Sequence, residues 1–344
     1  MSWRSYRANL ANFPPKHSLA KNLPHSLQDL INSMDESSRR LLGMRHVFEA
    51  AILENTSADE PEAPPIQVIN DVDDDPAPPW EFHYSNQMWH TDDVPAPDMQ
   101  NLVSCKCIGK CDPKKGNCAC AERQKQQANG TILDFAYDRN RRLKAFEYPI
   151  FECNELCACG DDCRNRVVQH GRMVTVNITK TVDKGWGVFA GNKRIPTGTF
   201  IGIYAGELIT DAEGEERGIK YDQSGRTYLF DLDFHHLKSG NPNWTTKYVV
   251  DAYHAGNFTR FLNHSCDPNC SLYPCYVNEA NIDKPHLAIF ALRDIEPFEE
   301  ICFSYWGNPN DLDGDNDGDE ENPLDIVHSR CKCGASNCTG RVFK

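Results

Sequence analysis

The chain has 344 residues and a formal net charge of −14, from 36 lysines and arginines against 50 aspartates and glutamates. This acidic balance argues against a general nucleic-acid binder, which would carry a basic stripe, and it favours basic partners. Hydrophobic residues make up 40% of the chain, which excludes wholesale disorder. No apolar run approaches the length of about 18 residues that a membrane span needs.

The first 53 residues predict a mildly basic arm with one helix. The apolar residues at helical spacing are Leu41, Leu42, Val47, Phe48, Ala51 and Ile52. Ser33 and Glu36 resemble a capping box in front of them. We expect this helix to pack against the main domain, and a partner-binding arm is the alternative. Residues 54–79, with eight acids, six prolines and no lysine or arginine, predict a disordered linker.

Nine of the 16 cysteines lie between residues 105 and 163. The chain starts without the long apolar region of a secretory signal, so a disulfide framework is not expected. Close cysteine pairs on short loops instead suit zinc, which takes four thiolates in a tetrahedral site. The nine residues are Cys105, Cys107, Cys111, Cys118, Cys120, Cys153, Cys157, Cys159 and Cys163.

The count of nine cysteines favours one trinuclear zinc cluster. Three tetrahedral ions need twelve ligand positions, and nine thiolates fill them if six are terminal and three each bridge two ions. Two ordinary four-cysteine sites with one spare cysteine are the alternative.

A second cysteine group, Cys331, Cys333 and Cys338, provides three zinc ligands and lacks a fourth. The remaining cysteines, one of which could close this site from a distance, are Cys266, Cys270, Cys275 and Cys302. In front of this group, residues 307–327 predict a solvated acidic loop. A calcium site is a weaker interpretation, because Leu324 stands where an EF-hand needs a bidentate glutamate.

From about residue 167 the pattern changes to short β-like runs separated by glycine, proline, asparagine and aspartate. The runs cover residues 173–176, 187–189, 200–204, 228–230, 248–250 and 286–290. They predict small curved sheets with few helices.

Three segments combine glycine and polar residues in patterns that suit a binding site. K-G-W-G-V occupies 184–188, R-F-L-N-H-S-C-D-P-N occupies 260–269, and E-E-I-C-F-S-Y occupies 299–305. A glycine pair alone often forms only a hairpin, and a lone aromatic residue on a strand is most often a core residue. The three segments together indicate function.

At these segments, and at Y-A-G-E at 204–207, the sequence resembles the SET-domain protein lysine methyltransferases. Residues 80–166 resemble their pre-SET domain, 167–306 the SET domain and 328–344 the post-SET domain. This combination resembles the suppressor-of-variegation subfamily, and the layout is most similar to its compact filamentous-fungal members. The resemblance implies a mainly β SET fold of small curved sheets with a pseudoknot. A trinuclear-zinc pre-SET domain and a zinc-binding post-SET tail would flank it.

The family implies a cofactor, S-adenosyl-L-methionine, and a set of residues that bind it. Cys266 is implied as the fourth ligand of the post-SET zinc, which would fold the tail over the active site and bring Phe343 to the cofactor. The implied cofactor-binding residues are Lys184, Gly185, Trp186, Gly187, Arg260, Phe261, Asn263, His264 and Phe343.

Aromatic residues in the same motifs are implied to form the lysine channel. Tyr305 occupies the catalytic tyrosine position, and Tyr228 resembles a second channel tyrosine. Tyr253 is a third, although family members place this tyrosine one to three residues before Gly256, and here two other residues lie closer to that glycine. Phe303 predicts trimethylation, because relatives with tyrosine there stop earlier. Ser304 stands where the family has aspartate.

The resemblance implies an enzyme that trimethylates lysine 9 of histone H3 in the nucleus, on chromatin, and acts in heterochromatin formation and gene silencing. Its expected partners are the histone H3 tail and unidentified recruiting proteins, without sequence-specific nucleic-acid binding or a membrane. One alternative is a SET enzyme for another lysine. The other is an inactive zinc-built scaffold that binds histone tails, which need not bind the cofactor.

Overall fold

Short strands in small sheets make up most of the regular structure. The computed structural model describes residues 35, 43–79, 82–115, 117–131, 134–222, 228–238, 241, 243–305, 330–340 and 342. The α-helices in these residues are α1 (Gly43–Asp59), α2 (Ala119–Gln127), α3 (Asp211–Asp222) and α4 (His235–Lys238). The strands are β1 (Gln67–Ile69), β2 (His83–Tyr84), β3 (Trp89–His90), β4 (Ile150–Phe151), β5 (Val176–Lys180), β6 (Trp186–Ala190), β7 (Phe200–Ile203), β8 (Glu207–Thr210), β9 (Leu229–Asp231), β10 (Tyr248–Asp251), β11 (Ala255–Gly256), β12 (Asn263–His264), β13 (Cys270–Tyr276), β14 (His286–Ala291) and β15 (Glu300–Phe303).

The strands of the described chain form four sheets, which confirms the predicted mainly β fold of small sheets. The orders are β1-β5-β6-β15-β12, β3-β8-β10-β9, β11-β2 and β4-β13-β14-β7. In the first sheet the parallel pair β12 and β15 brings the segments around 263 and 303 side by side. The antiparallel pair β15 and β6 adds the 184–188 turn, so this sheet joins all three chemistry-bearing segments.

The predicted helix is present, and it packs on the main core. Phe48, Ala51 and Ile52 are almost fully buried in the same cluster as Val188 and Ile301. This confirms the packed interpretation for the described part of the arm. The capping-box residues 33 and 36 and the apolar pair at 41 and 42 lie outside the described residues.

The prediction of a disordered linker over residues 54–79 was wrong. Helix α1 continues to Asp59, and β1 pairs in parallel with β5, with Val68 opposite Ile178. Glu49 Oε1 also accepts a hydrogen bond from the Val68 amide at 2.7 Å. The average composition of the segment, rich in acids and proline, concealed the buried residues Ile66 and Val68, which anchor it in the core.

Each of the six predicted strand runs overlaps an observed strand, one of them displaced, and nine of the described strands lie outside the predicted runs. The run at 173–176 shares only Val176 with β5, because the Val174 carbonyl accepts a hydrogen bond from Arg172 instead of from a neighbouring strand. Strand β8 was missed because its apolar run is very short. Strand β13 was missed because Pro274 and its cysteines do not resemble a strand.

One buried carboxylate fixes the junction between the cysteine-rich region and the sheets that follow. Glu152 accepts hydrogen bonds from the Tyr137 hydroxyl at 2.6 Å and from the amides of Val167 and Val168 at 2.8 Å each. Gln169 Nε2 adds a bond at 2.7 Å. Because a buried acceptor and its donors are costly to separate, these bonds hold residues 167–169 against β4.

Replacing Glu152 with Gln should destabilise the protein by about 2 kcal/mol, because an NH2 group would face some of these N–H and O–H donors. The midpoint of thermal unfolding should fall by roughly 4–8 °C. Glu155→Gln is the matched control, since Glu155 is nearby and exposed. An unchanged midpoint in Glu152→Gln would show that the carboxylate contributes little to the junction.

The described part of the chain has no helix with both the length and the hydrophobicity of a membrane span.

Candidate active site

The glycine turn between β5 and β6 is shaped by backbone conformation and close packing. Gly185 has a φ of +71°, and a Cβ there would meet open space. A Cβ at Gly187 would lie 2.8 Å from Glu300 Oε1 and 2.9 Å from Asn263 Nδ2. The second glycine therefore lets β6 approach both side chains, and the first allows the left-handed turn.

Polar side chains from all three segments meet beside this turn. Lys184 forms an ion pair with Glu300. Glu300 Oε1 also accepts a hydrogen bond from Asn263 Nδ2 at 2.8 Å, and the same amide lies 3.3 Å from the Trp186 carbonyl. An ammonium, a carboxylate and an amide fit the amino-acid portion of S-adenosylmethionine, which carries the complementary charges. Glu300 belongs to the predicted 299–305 segment, but no role was predicted for it.

Arg260 contacts aromatic residues on the opposite side of its segment. Its guanidinium lies 4.0 Å from the ring centroid of Phe82 and 4.4 Å from that of Tyr228, and Nε donates to the Ala252 carbonyl at 3.0 Å. Burial lowers the pKa of Arg260. Phe261, predicted with it, is buried and packs edge-on against Phe82 at 5.8 Å. These contacts hold Arg260 and Phe261 against the predicted channel residue Tyr228 and against Phe82.

Tyr305 is held by the segment that contains His264. The Tyr305 hydroxyl donates to the Leu262 carbonyl at 2.9 Å, and its backbone amide donates to His264 Nδ1 at 3.2 Å. Burial of the hydroxyl raises the pKa of Tyr305, so this hydroxyl keeps its proton and remains a donor at neutral pH.

A chain of aromatic rings leads away from Tyr305. Its centroid lies 5.0 Å from that of Phe303, and Phe303 lies 6.3 Å from Tyr204. Tyr204 in turn contacts Phe230 at 6.1 Å, and its hydroxyl donates to the Tyr228 carbonyl at 3.1 Å. Tyr204 was not predicted, although it opens the Y-A-G-E motif that carried part of the resemblance.

Tyr253 also joins this group. Its ring meets that of Tyr228 edge-on at 5.7 Å and stacks on that of Tyr221 at 4.6 Å, with 15° between the planes. The structure therefore brings together all four predicted channel residues, including the one whose spacing departs from the family. Tyr221 was missed because its sequence neighbourhood resembles an ordinary helix.

The cysteines of the 105–163 region converge on one buried cluster. Three groups of four thiols, each with all sulfurs within 4.8 Å of one another, can hold a metal ion. They are Cys105, Cys107, Cys111 and Cys118; Cys105, Cys120, Cys153 and Cys157; and Cys105, Cys111, Cys153 and Cys159. Within the described residues Cys163 belongs to none of these groups, although its thiol interacts with Cys111 and Cys153.

Shared thiols link these groups. Cys105, Cys111 and Cys153 each occur in more than one group, as bridging ligands would. The sulfurs of Cys105 and Cys111 are 3.5 Å apart, and those of Cys111 and Cys153 are 3.8 Å apart. The donor set therefore fits several zinc ions that share thiolates.

Cys266 closes the C-terminal cysteine group. Its sulfur lies within 4.8 Å of those of Cys331, Cys333 and Cys338, and Asn337 Nδ2 donates to its carbonyl at 3.0 Å. Four thiols at this separation fit one tetrahedral zinc ion. Of the four candidates for the missing ligand, the structure selects the one that the resemblance implied.

This C-terminal group touches the active site at two points. Lys332 Nζ donates to the Asp183 carbonyl at 3.1 Å, directly before the glycine turn. Cys266 Sγ lies 3.5 Å from His264 Nε2, and His264 binds the amide of Tyr305 through its other nitrogen. The His264 ring therefore contacts the candidate metal ligand Cys266 on one side and the backbone of Tyr305 on the other.

Phe343, which was predicted to reach the cofactor, lies outside the described residues, as does the acidic loop at 307–327. Cys270, Cys275 and Cys302 are buried free thiols.

Two family models match the chain: the SET domain over residues 185–306 and the pre-SET motif over residues 58–166. The pre-SET match begins before the predicted boundary at residue 80, in agreement with the ordered segment described above. A Schizosaccharomyces pombe protein, a histone-lysine N-methyltransferase specific for lysine 9 of histone H3, is 38% identical over 83% of this chain and 56% of its own length. The chain spans 20% to 65% of the length of the curated relatives that it matches.

Solved structures show the same similarity. One is the Neurospora SET domain protein DIM-5, a histone lysine methyltransferase, which matches with a TM-score of 0.60 and 32% sequence identity. The match covers 70% of this chain and 95% of the DIM-5 chain. Another is KRYPTONITE in complex with DNA, a histone H3 peptide and S-adenosylhomocysteine, with a TM-score of 0.63 and 28% sequence identity. The match covers 81% of this chain and 51% of the KRYPTONITE chain.

Proposed function

The chain belongs to the SET-domain histone lysine methyltransferases of the Su(var)3-9 type, and we propose that it methylates lysine 9 of histone H3. The observation that supports this best is the position of Tyr305. Its hydroxyl and amide are both bound by the 262–264 segment, between the polar cluster at the glycine turn and the aromatic rings around Tyr228. A cofactor cleft and a lysine channel would meet at this residue.

S-adenosylmethionine, when bound, supplies a methyl group on a sulfonium for in-line transfer to an amine. Lys184, Glu300 and Asn263 would bind the amino-acid end of the cofactor. The rings of Tyr228 and Phe303 would exclude water from the lysine stem, and this desolvation favours the neutral amine that the transfer requires. The Tyr305 hydroxyl would orient that amine toward the methyl group.

A basic, extended histone tail suits the surface near the channel. Strand β9, directly after Tyr228, is one of the two edge strands of its sheet among the described residues. A tail that lies along this edge could direct its lysine between Tyr228 and the neighbouring rings. Asp231 ends strand β9, and the net charge of −14 would favour encounter with a cationic tail.

The proposed setting is chromatin in the nucleus, with a role in heterochromatin formation and gene silencing. The proposed partners are the histone H3 tail and recruiting proteins. These proposals rest on the names of the relatives, which are histone methyltransferases.

A methyl-transfer assay tests the function directly. Protein purified with zinc would receive S-adenosylmethionine and a histone H3 tail peptide, and mass spectrometry would locate and count the methyl groups. The control peptide carries arginine in place of lysine 9. Transfer that persists on the control peptide would indicate another target lysine. Cofactor binding without transfer to any histone would redirect the search to non-histone substrates. Failure to bind the cofactor would favour the scaffold alternative.

Phe303 should determine how many methyl groups are added. It is buried between Tyr305 and Tyr204, so a hydroxyl on its ring would introduce a polar group where a methylated amine must rotate. We expect the parent to produce trimethyl-lysine, and Phe303→Tyr to produce mainly mono- and dimethyl-lysine. Mass spectrometry at matched cofactor turnover measures the products. An unchanged trimethyl fraction in the variant would contradict this role for Phe303.

A further inference from the structure

A buried ionic cluster lies directly behind the channel tyrosine Tyr253. Glu207 on β8 and Asp251 on β10 are opposite each other in the register, and both are fully buried. Arg217 on α3 lies between them, with Nη1 2.8 Å from Glu207 Oε2 and 2.5 Å from Asp251 Oδ2. Two buried carboxylates side by side would repel, so the arginine is needed to hold both. The ion-paired side chains of Glu207, Arg217 and Asp251 therefore form a buried cluster at the C-terminal end of β10.

The cluster continues into Tyr253 through Asp251. One carboxylate oxygen, Oδ1, accepts the Tyr253 amide at 2.8 Å. The other, Oδ2, accepts the hydroxyl of Tyr221 at 2.8 Å. A single carboxylate therefore fixes the backbone of one tyrosine and the side chain of the other.

The two tyrosines bound to Asp251 also stack on each other. The ring centroids of Tyr221 and Tyr253 are 4.6 Å apart with 15° between the planes. Tyr253 meets Tyr228 edge-on at 5.7 Å. Tyr221 thus braces Tyr253 from α3, while Tyr253 makes an edge-on contact with the channel.

Arg260 restrains the same backbone independently. Its Nε and Nη2 donate to the carbonyls of Ala252 and Tyr253 at 3.0 and 3.4 Å, and its guanidinium covers the ring of Tyr228. Arg260 thus contacts the ring of Tyr228 and the backbone of Tyr253, whereas the ring of Tyr253 is supported by Tyr221. A change at Tyr221 should affect one wall only.

We propose that Tyr221, anchored by Asp251 and Arg217, is a positioning residue that sets the Tyr253 wall of the channel and so determines how tightly the substrate lysine is held. This inference rests on the proposed function and deepens it. Tyr221 itself need not touch the cofactor or the reacting atoms. Its effect should appear in the KM for the peptide and not in the binding of the cofactor.

Two substitutions separate the hydrogen bond from the stack. Tyr221→Phe removes the hydroxyl bond to Asp251 and keeps the ring, and Tyr221→Leu removes the stack. We expect the peptide KM to rise about 3-fold in the first and about 10-fold in the second, which is the scale of one aromatic pair. The kcat should stay within about 3-fold of the parent, and the Kd for S-adenosylmethionine should be unchanged.

Tyr276 provides a matched control from another sheet. It is also buried, its hydroxyl donates to the Ile282 carbonyl at 2.6 Å, and its ring stacks on Phe151 at 4.8 Å and 9°. Tyr276→Phe and Tyr276→Leu should reduce stability and active fraction without changing the peptide KM. If the Tyr221 variants behave in the same way, Tyr221 is a structural residue and the inference is wrong.

Peptide affinity measured by fluorescence anisotropy, with S-adenosylhomocysteine present, separates this inference from the proposed function. A parent that binds the peptide without transferring methyl groups would refute the proposed activity, and the Tyr221 variants would still report on the channel through Kd. A parent that transfers methyl groups normally, with variants of unchanged KM, would refute only the inference. A parent that neither binds nor methylates the peptide would refute both.

Discussion

Replacing Tyr305 with Phe should reduce kcat for methyl transfer by about 100-fold to 1,000-fold, the usual cost of one positioned hydrogen-bonding group in a reacting site. The hydroxyl is oriented by the Leu262 carbonyl at 2.9 Å, and the ring is fixed against Phe303 and His264 at 5.0 and 5.3 Å. Phenylalanine keeps these ring contacts. It removes the hydroxyl that would orient the amine, so binding should survive while the chemical step slows.

The assay should separate these effects. Single-turnover rates report the chemical step, and calorimetry with S-adenosylmethionine should give a Kd within about 2-fold of the parent. Tyr148→Phe is the control, because that hydroxyl bonds to Thr131 at 3.0 Å on the exposed surface of the pre-SET region. A Tyr305→Phe variant that retains more than a tenth of the parent kcat would contradict the catalytic assignment.

The pKa of Tyr305 also constrains how it acts. Burial of the hydroxyl, followed by interaction with the nearby phenol of Tyr228, raises its pKa above the ordinary value. The phenol therefore stays protonated over the range in which the enzyme would be assayed, and it can donate and accept hydrogen bonds without serving as a base. In the proposed reaction the proton of the substrate ammonium would therefore pass to solvent and not to Tyr305.

The sequence motifs identified the residues of the candidate site better than the residues that pack behind them. Gly187, Asn263 and Tyr305 belong to short segments that carry the family resemblance, so they can be recognised in a single sequence. The stack of Tyr221 on Tyr253 has no local signal, because the helix and the strand end meet only in the folded chain. Positions that act through such long-range packing have to be read from the structure.

The average composition of a segment gave a wrong prediction where a few buried residues determine its structure. The acidic, proline-rich segment at 54–79 appeared to be a linker, yet Val68 pairs with Ile178 and is buried in the core. Cysteine counting was a better guide, because the groups of close thiols share members as a cluster with bridging ligands would. Thiolates that share metal ions have fixed stoichiometry, so nine cysteines predicted a cluster with bridging ligands before any distance was known.

Loss of the C-terminal metal should abolish activity while most of the fold remains. Cys266 belongs to this site and lies 3.5 Å from His264 Nε2, and His264 Nδ1 accepts the Tyr305 amide. The segment at 330–340 has few buried residues, so its order depends on the metal more than on packing. Without the metal, the C-terminal segment would lose its contact with the glycine turn at Asp183. Cys266 would also no longer be fixed beside His264.

Cys333→Ser is the substitution that tests this dependence. We expect its bound zinc, measured by mass spectrometry of the metal, to fall by one ion per chain from the proposed four. Methyl transfer should fall by at least about 100-fold, with a weaker affinity for S-adenosylmethionine and a midpoint of thermal unfolding close to that of the parent. Full metal content in this variant would show that Cys333 is not a ligand.

The pre-SET cluster should respond differently, because it is itself a buried core. Cys153 is fully buried and belongs to two thiol groups, so Cys153→Ser would disturb more than one ion. We expect loss of more than one zinc per chain together with cooperative unfolding of the region, seen as protease sensitivity. Cys270→Ala is the control for both variants, since Cys270 is buried and belongs to no thiol group among the described residues. Equal stability of the Cys153 and Cys270 variants would refute a structural role for the metals of the cluster. The two variants can also be compared at an equal folded fraction. If Cys333→Ser then loses less activity than Cys153→Ser, activity does not depend mainly on the C-terminal metal site.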